Sequence, residues 1–421
     1  MKLQAVKGTR DILPNRQAFW HHVIGRVGSV MARSGVREID VPIFEHTEVF
    51  TRSAGASSDL VVQKEMYTFT DRGGRSITLR PEFTGGVLRA FIEHGMVNWP
   101  TPVKLWSHGP IFRGEQVQRG RYRQFHQVNC ELVGLPGPLI DAEAISLLYD
   151  ALRACGLKDL VVRLGSVGDP EDRARHNHYL RAALNPHREA LSEASKTRLV
   201  LNPLRLWDSK DPGDQELLKD LTPPLEHLSN EARDHFEGVK SYLDDWEIPV
   251  EVDPAIVRAL DYYRRTAFEI HHSAIGAQSA LAGGGRYDGL IGHLGGPDLP
   301  GVGWAFGVDR VLDALTVDEV GIPKESGPDL FLIPLDEEAV GEVARLARHL
   351  RAAFRVEHSY RRRNPGRGLR DAERSGAPLA GLRGAAERET HSLTVKDLVS
   401  GEQRDILEDN LPAFLRKAGR A

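Results

Sequence analysis

The sequence predicts an α+β domain that is interrupted by a helical insertion and followed by a smaller α/β domain. Three patterns indicate this order. Residues 67–164 read mostly as strands, residues 165–247 read as polar helices, and helices and strands alternate in the last 94 residues. A composition typical of a linker at residues 318–328 separates the domains, so we expect their boundaries near 1–325 and 328–421.

The first element is an amphipathic helix from about Arg16 to Ser34. Apolar residues recur along it at helical spacing, at Phe19, Val23, Val27 and Val30. Gly35 is placed to end the helix. The run REIDVPIFE that follows is extended, and Pro42 inside it suits an edge or interrupted strand.

The strand-rich region contains two predicted helices, near Gly85–His94 and Ile140–Ala154. After the insertion, strands return at about Val250–His272 and Ser279–Ala282. GVGWAFGVDRVLDAL then reads as a strand that runs into a helix. In the last domain, DLFLIPL is a buried strand, a helix follows at about Glu337–Phe354, and LTVKDL and GEQRDIL are strands.

Composition excludes several classes of protein. The 55 Lys and Arg residues nearly balance the 59 Asp and Glu residues, so the chain does not hold nucleic acid by bulk charge. The N-terminus has no apolar stretch typical of a secretory signal, and no apolar run is long enough to cross a membrane. Two cysteines without a Cys-x-x-Cys pair argue against a thiolate zinc site and suit a reducing compartment. GxxxxGK[ST], HExxH and GxSxG are also absent, which excludes a P-loop.

The stretch FRGEQVQRGRYRQFHQVNCELVG, residues 112–134, reads as strand, polar loop and strand. Alternation along the second strand puts one set of side chains on a shared face: Phe125, Gln127, Asn129 and Glu131. The opposite face is apolar and should meet the core. Arg113, Glu115 and Arg121 come from the preceding strand and the loop, and arginine forks suit phosphate oxygens. A solvated hairpin face with ordinary ion pairs explains the same pattern.

Two further stretches are candidates. VRALDYYRRTAFEI, residues 257–270, combines a tyrosine pair with several arginines, although an amphipathic edge strand fits it equally well. In GGGRYDGL, residues 283–290, three glycines allow close approach of a ligand or a neighbouring strand, and a tight loop is the simpler alternative.

Together these segments identify a resemblance that covers nearly the whole chain. The sequence resembles class II histidyl-tRNA synthetases of bacterial type. KGTRDILP is similar to the opening of that family, SGVREIDVPIFE to class II motif 1, FRGEQVQRGRYRQFHQ to motif 2 and GVGWAFGVDRVL to motif 3. RALDYYRRTAFEI and GGGRYDGL resemble the two histidine-specific motifs, and LNPLRLWDSKD in the insertion is also similar. The resemblance implies an antiparallel class II sheet and an anticodon-binding domain at the C-terminus.

The resemblance also implies a reaction and assigns residues to it. Histidine and ATP would form histidyl-adenylate, and the adenylate would charge the 3′ end of tRNA(His). Arg113, Gln127 and Arg258 would be catalytic, with Arg113 on the α-phosphate and Arg258 stabilising the transition state. The implied ATP site comprises Arg113, Glu115, Arg121, Phe125 and Arg310.

By the same resemblance, the α-amino group of histidine would be held by Glu82, Thr84 and Gln127. Glu131 and Tyr263 would hold the imidazole, with Tyr262 and Tyr287 nearby, and Arg113 and Arg258 would lie beside the carboxylate. Four positions depart from the usual pattern: Phe83, Ala259, Asp309 and the pair Gln116-Val117. The last pair lies in the loop that reads the acceptor end in this family, where Gln118 and Arg119 are candidate tRNA contacts.

The C-terminal domain is less acidic than the rest of the chain. It has 17 Lys and Arg against 15 Asp and Glu, whereas residues 1–327 have 38 against 44. Its basic residues are densest near Arg361, Arg362 and Arg363, which we take as candidate tRNA contacts rather than only a solvated face.

The resemblance further implies a cytoplasmic homodimer, Mg²⁺ accompanying ATP, and no tightly bound metal held by the protein. Two alternatives remain open at this level. One is a catalytically inactive regulatory paralogue that acts as a subunit of ATP phosphoribosyltransferase, a class that generally lacks the C-terminal domain. The other is a synthetase of the same subclass for proline, threonine or glycine, against which Glu131 and the tyrosine pair argue.

Overall fold

The computed structural model describes residues 3–54, 65–114, 122–257, 262–273, 280–321 and 327–418. The chain divides into two compact units, Met1–Ile322 and Pro323–Ala421. The first contains a largely antiparallel sheet with helices and a helical insertion, and the second a mixed sheet with helices. The predicted fold class is therefore confirmed.

The first unit contains two sheets. Its strands are, in chain order, β1 (Arg37–Glu38), β2 (Phe44–His46), β3 (Thr68–Thr70), β4 (Ser76–Leu79), β5 (Val103–Phe112), β6 (Gln124–Val133), β7 (Leu160–Ser166), β8 (Val250–Val252), β9 (Arg264–His272), β10 (Ala280–Arg286) and β11 (Gly301–Gly307). In the described ranges, the main sheet has eight strands in the order β1-β5-β6-β11-β10-β9-β7-β8. The two outer pairs, β1 with β5 and β7 with β8, are parallel, and the inner strands pair antiparallel. The small sheet has the order β2-β4-β3.

The helices of the first unit begin where the sequence supplies a proline or a polar cap in several cases. Their bounds are Pro14–Arg33, Thr47–Ala54, Thr84–Glu93, Pro138–Ala154, Pro170–Leu184, Glu193–Leu201, Pro212–Leu218, Asn230–Asp245, Leu290–His293 and Val308–Val317. The first helix agrees with the sequence pattern apart from one residue. Phe19 is 38% exposed, and its neighbour Trp20 faces the core instead.

The two faces of the main sheet differ, and this difference positions the site. Val128, Cys130 and Leu132 of β6 pack into a large apolar core together with helix Pro138–Ala154. The opposite face is covered by a smaller core that includes helix Thr84–Glu93 and Tyr287. The polar residues of β6 lie on this second face. The alternation predicted for the strand is therefore confirmed.

The helical insertion has an apolar core of its own. Six leucines form it: Leu180, Leu184, Leu191, Leu199, Leu206 and Leu218. The last helix in the predicted insertion, Asn230–Asp245, does not belong to this core, because Phe236, Val239 and Leu243 pack in the main one. Its apolar stripe faces the main sheet, so the insertion ends before it.

Two of the alternative interpretations made from the sequence are wrong. The segment Arg264–His272 is not an edge strand, because β9 lies between β10 and β7. The glycine run is not a tight loop, because Gly283, Gly284 and Gly285 lie within β10, in the middle of the sheet. Residues without a Cβ are needed there, since a side chain on Gly284 would collide with the backbone of Trp304 on β11.

The second unit has a sheet of mixed direction. Its strands are β12 (Leu330–Pro334), β13 (Val356–His358), β14 (Leu379–Arg383), β15 (Ser392–Asp397) and β16 (Gln403–Leu407), and its helices are Glu337–Leu350, Pro365–Ser375, Ala385–Glu389 and Leu411–Ala418. The strand order is β13-β12-β14-β15-β16, with β12 parallel to both neighbours. None of the helices in the described ranges of the chain is long and apolar enough to cross a membrane.

Candidate active site

The polar face of β6 forms the centre of a buried cluster. Gln127, Asn129 and Glu131 are 9%, 1% and 0% exposed. A solvated hairpin face is therefore excluded. The sheet buries these groups because β6 pairs with β5 on one side and β11 on the other. A buried carboxylate and two amides must then be satisfied by neighbouring polar groups or by a ligand.

Three side chains donate hydrogen bonds to the Glu131 carboxylate. Thr84 Oγ1 and Asn129 Nδ2 donate to its Oε1 at 2.6 Å and 2.7 Å, and the Tyr287 hydroxyl donates to its Oε2 at 2.5 Å. These donors come from a helix N-terminus, β6 itself and the segment after β10. The carboxylate is thus held in one orientation by three separate elements.

Burial dominates the electrostatics of this carboxylate. It raises the pKa of Glu131 to about 7, although the hydrogen bonds from Thr84, Tyr287 and Asn129 act in the opposite direction. Burial also raises the pKa of Glu82, against hydrogen bonds from Gly85 and Thr84. Two buried carboxyl groups with raised pKa values in one cluster are typical of a functional centre.

Glycines make room for this arrangement. A Cβ on Gly303 of β11 would overlap Oε2 of Glu131 and lie 2.7 Å from the Cys130 carbonyl oxygen. A Cβ on Gly285 would lie 2.8 Å from Cδ1 of Tyr263. The backbone of β10 and β11 therefore forms a surface against which the carboxylate and the tyrosine pack.

Three tyrosines line the same pocket. The ring centroids of Tyr262 and Tyr263 are 4.6 Å apart, and those of Tyr262 and Tyr287 are 5.9 Å apart in an edge-to-face arrangement. Burial raises the pKa of both Tyr262 and Tyr287 well above the ordinary value. Both phenols therefore stay protonated and can donate.

Glu82 and Gln127 add a second polar group to the pocket. Glu82 Oε1 accepts a hydrogen bond from the Gly85 amide at 2.8 Å. Gln127 Oε1 is buried and accepts no hydrogen bond from the described part of the chain. A buried amide oxygen without a donor is costly, so a ligand with N–H groups would satisfy it.

Arg113 lies at the open end of the β5–β6 hairpin. It follows β5 directly, its Nε donates to the Pro81 carbonyl at 2.8 Å, and its guanidinium lies 5.6 Å from the Phe125 ring centroid. Arg80 stabilises the same end of the hairpin by donating to the carbonyls of Val41 and Pro110. A fixed arginine and an aromatic ring therefore stand side by side.

Arg310 lies in the first turn of the helix that follows β11. Its Nη1 donates to the Ala280 carbonyl at 2.7 Å. Gly307, three residues earlier, is paired with Gln127 across the sheet, which places Arg310 beyond the same end of β6. Next to it, Asp309 forms an ion pair with Arg10, so the shorter acid at this position has a partner from the N-terminal segment.

Several predicted site residues lie outside the described residues: Glu115, Gln118, Arg119, Arg121 and Arg258. The departures Ala259 and Gln116-Val117 lie outside them as well. Their assignments stay predictions.

Comparisons with known proteins agree with this geometry. Residues 8–311 match the histidyl-tRNA synthetase family, and residues 329–418 match the anticodon binding domain. The chain belongs to the histidyl-tRNA synthetase family. It is 52% identical to the histidine–tRNA ligase of Thermus thermophilus, over 99% of this chain and 100% of that protein. It is 47% identical to the histidine–tRNA ligase of Deinococcus radiodurans, over 96% and 98%. The crystal structure of apo S. aureus histidyl-tRNA synthetase is similar with a TM-score of 0.82 and 33% identity, covering 99% of this chain and 100% of that one.

The structure brings the described histidine-site residues of the sequence-based assignment into one cluster around the polar face of β6. They are Glu82, Thr84, Gln127, Glu131, Tyr262, Tyr263 and Tyr287, with Arg113 and Phe125 at the hairpin end. The structure adds one contact of Thr84 to this assignment. The Thr84 hydroxyl is bonded to Glu131, so Thr84 supports the carboxylate that is expected to hold the imidazole.

Sequence reasoning gave no supporting role to some of the groups that hold these residues in place. Asn129 shares the β6 face with Glu131, and this periodicity was the available signal. A buried network behind Tyr287 had no such signal: Arg286 donates to Asp141, which also accepts from Thr266 and bonds with His235. Burial alone would raise the pKa of Asp141, but His235 and Arg286 hold it below its usual value.

The candidate tRNA contacts in the second unit differ from one another. Arg361 and Arg362 are exposed, and Arg362 makes a 3.4 Å ion pair with an exposed Glu337. Arg363 is half-buried, and its Nε donates to Asp371 at 2.9 Å. Arg361 and Arg362 are therefore better placed than Arg363 to contact phosphate.

Proposed function

We propose that this chain is a histidine–tRNA ligase. It would activate L-histidine with ATP and transfer the activated amino acid to the 3′ end of tRNA(His). The observation that carries the proposal is the buried Glu131 carboxylate, oriented by Thr84, Asn129 and Tyr287 and flanked by the tyrosine pair.

The reaction has two steps. In the first, a carboxylate oxygen of histidine attacks the α-phosphorus of ATP, a new P–O bond forms, and the bond to pyrophosphate breaks. In the second, a ribose hydroxyl of the tRNA attacks the carbonyl carbon of the adenylate, AMP leaves, and the hydroxyl proton is released. The protein contributes mainly by positioning the reactants and by stabilising the charge on phosphorus.

Glu131 and Tyr263 are proposed to select the imidazole. A carboxylate fixed by three donors can accept one N–H of the ring, and the tyrosine can satisfy the other nitrogen. A site built from paired polar groups rejects analogues that lack the partner by roughly 10⁴–10⁵. Selection of this size makes a separate editing step unnecessary.

Glu82 and Gln127 are proposed to hold the α-ammonium group. The unpartnered Gln127 oxygen supports this assignment because an ammonium supplies the missing donor. The positive charge would also favour the ionised form of Glu82, whose pKa burial raises. Binding of histidine would therefore supply a donor to the Gln127 oxygen and offset the cost of a buried charge on Glu82.

The phosphate side of the site is proposed to begin at Arg113, with adenine stacked on Phe125. Arg113 is held by the Pro81 carbonyl, so its guanidinium is positioned before ATP arrives. Arg258 would stabilise the charge on phosphorus, Arg121 and Arg310 would bind the outer phosphates, and Glu115 would contact ATP.

We propose that Mg²⁺ enters as the complex with ATP. Among the described residues, no group of three or more His, Cys, Asp and Glu side chains could hold a metal ion. The phosphate oxygens would then supply the main ligands, as is usual for this ion.

The proposed contacts with tRNA(His) lie on both units. Gln118 and Arg119 would meet the acceptor end, and Arg361, Arg362 and Arg363 would meet the anticodon stem. A homodimer is proposed because Ile43, Phe44 and Phe69 are exposed apolar residues beside or on the small sheet, and the first two lie in the segment that resembles motif 1. We expect the reaction in the cytoplasm, where charged tRNA is consumed.

The deciding experiment is ATP–pyrophosphate exchange with histidine and with each of the other amino acids, followed by charging of tRNA(His). Exchange that depends on histidine alone, together with charging, supports the ligase. A folded protein that binds histidine but shows no exchange would favour the regulatory paralogue. Exchange with proline, threonine or glycine would contradict the assignment of Glu131.

A further inference from the structure

A bulge in β9 lies directly beside the tyrosine pair. Arg286 of β10 pairs with Arg264, whereas the preceding Gly285 pairs with Ala267, so two extra residues of β9 are accommodated at this point. The extra residues are Arg265 and Thr266. Bulges bend a strand and redirect its neighbouring side chains, and they are frequent next to active sites.

Arg265 has the unusual backbone conformation at this bulge. Its φ is +48°, a left-handed conformation that residues with a Cβ adopt at a cost. Its amide donates to the Gly168 carbonyl, and its carbonyl accepts from the Val167 amide, both at 2.9 Å. The bulge is therefore closed onto the end of β7, where the chain leaves the sheet for the insertion.

The Arg265 side chain reinforces this closure with a bidentate ion pair. Its Nε and Nη2 each lie 2.9 Å from a carboxylate oxygen of Asp169, and its Nη2 also donates to Glu231 at 2.7 Å. Asp169 and Arg265 are 24% and 22% exposed in their side chains, so water screens the pair only partly.

Asp169 is the residue that precedes the first helix of the insertion, Pro170–Leu184. The same helix makes a second connection: Arg173 Nη1 donates to the Tyr263 carbonyl at 3.1 Å. The first turn of the insertion is thus attached to the bulge at Arg265 and to the residue two positions before it.

Tyr263 connects the bulge to the side chains around Glu131. Its ring packs on the Gly285 backbone, where a Cβ would lie 2.8 Å from Cδ1, and it contacts Tyr262. Tyr262 packs edge-to-face on Tyr287, whose hydroxyl donates to Glu131. A shift of the bulge would therefore move the aromatic side of the pocket relative to the carboxylate.

We propose that the Asp169–Arg265 pair positions Tyr263 for histidine binding and couples the first turn of the insertion to the amino-acid site. The inference rests on the proposed histidine activation. It adds two positioning residues that do not contact the substrate. The coupling is reciprocal, so histidine should stabilise the first turn of helix Pro170–Leu184.

The test uses Asp169→Asn in the full-length chain. Asparagine keeps the size and is as good as aspartate before a helix, but it cannot form the bidentate ion pair. We expect the KM for histidine to rise by up to about tenfold, the KM for ATP to stay unchanged, and the Tm to fall by no more than a few degrees. Arg265→Gly, which removes this pair together with the contact to Glu231 and suits a positive φ, should raise the KM for histidine at least as much.

Glu171→Gln is the matched control, because it removes an exposed carboxylate from the same first turn. Its kinetics should equal those of the unmodified chain. Hydrogen exchange gives the second readout: histidine should slow exchange in residues 170–175 of the unmodified chain and much less in Asp169→Asn.

An unchanged KM for histidine in both variants would overturn the inference, as would histidine-independent exchange at residues 170–175. A large fall in Tm, with equal rises in the KM for histidine and in the KM for ATP, would show that the pair has only a structural role. Failure of the unmodified chain to activate histidine would instead refute the proposed function, so the two outcomes are distinguishable.

Discussion

Tyr287→Phe isolates one hydrogen bond at the centre of the pocket. The change removes the hydroxyl that donates to Glu131 Oε2 at 2.5 Å, and it keeps a ring that is almost fully buried. The ring itself packs on Gly301, where a Cβ would overlap it. Phenylalanine should therefore fit the same space, and the missing donor is the main perturbation.

The size of the effect follows from the charge of the acceptor. A hydrogen bond to a charged group contributes about 1.5–3 kcal/mol, and about 1.36 kcal/mol corresponds to one pH unit. The pKa of Glu131 is already about 7, so the group is half ionised near neutral pH. Losing the donor should move its ionisation about 1–2 pH units higher, which lowers the ionised fraction at pH 7 by roughly 5- to 50-fold.

The assay is the pH dependence of kcat/KM for histidine in ATP–pyrophosphate exchange. The acid limb should shift upward by about 1–2 pH units in the variant, and activity should recover at high pH. The imidazole of free histidine also titrates, but it does so equally for both proteins. The KM for ATP should stay constant.

Tyr262→Phe is the control, because it removes a hydroxyl from the same aromatic group while leaving the three donors to Glu131 in place. Its acid limb should not move, whatever its activity. A limb that stays at the same pH in Tyr287→Phe, with a uniform loss of kcat, would show that Glu131 is not the group whose ionisation controls histidine binding.

Four further outcomes are expected. Gly303→Ala places a methyl group against Glu131 and should cost about 1–3 kcal/mol in urea unfolding and raise the KM for histidine; wild-type stability would contradict the close packing. Glu131→Gln should weaken selection of histidine over other amino acids. Folded Glu131 keeps its proton up to about pH 7, whereas the unfolded group releases it near 4.5, so the free energy of unfolding falls by up to about 3 kcal/mol as pH rises through this window. Unfolding measured at about pH 5 and 8 should show that Glu131→Gln lacks this pH-dependent loss of stability. Arg258→Ala should slow single-turnover adenylate formation by about 10²–10³ while histidine binding falls less; weaker binding at an unchanged rate would refute its role. Removing residues 328–421 should reduce tRNA charging far more than ATP–pyrophosphate exchange, and equal losses in a folded protein would argue against a separate tRNA-binding role.

The sequence alone was sufficient for the order of elements and for the faces of several of them. Period-two alternation assigned Gln127 and Glu131 to one face of β6, and helical spacing assigned the first helix. Local patterns work in these cases because a strand or helix exposes its periodicity in consecutive residues. The motifs worked for the same reason, since each lies within a short segment of the chain.

Only the tertiary structure decided which faces were buried and which groups support the site. The glycine run lies in a central strand rather than a loop, because its partner strands approach too closely for side chains. The network of Asp141, His235 and Arg286 joins residues about 50–145 positions apart, and Asp169 and Arg265 are 96 apart. No periodicity links such positions, since folding alone brings them together. The face on which a side chain lies can therefore be predicted from neighbouring residues, whereas its orientation depends on contacts between distant segments.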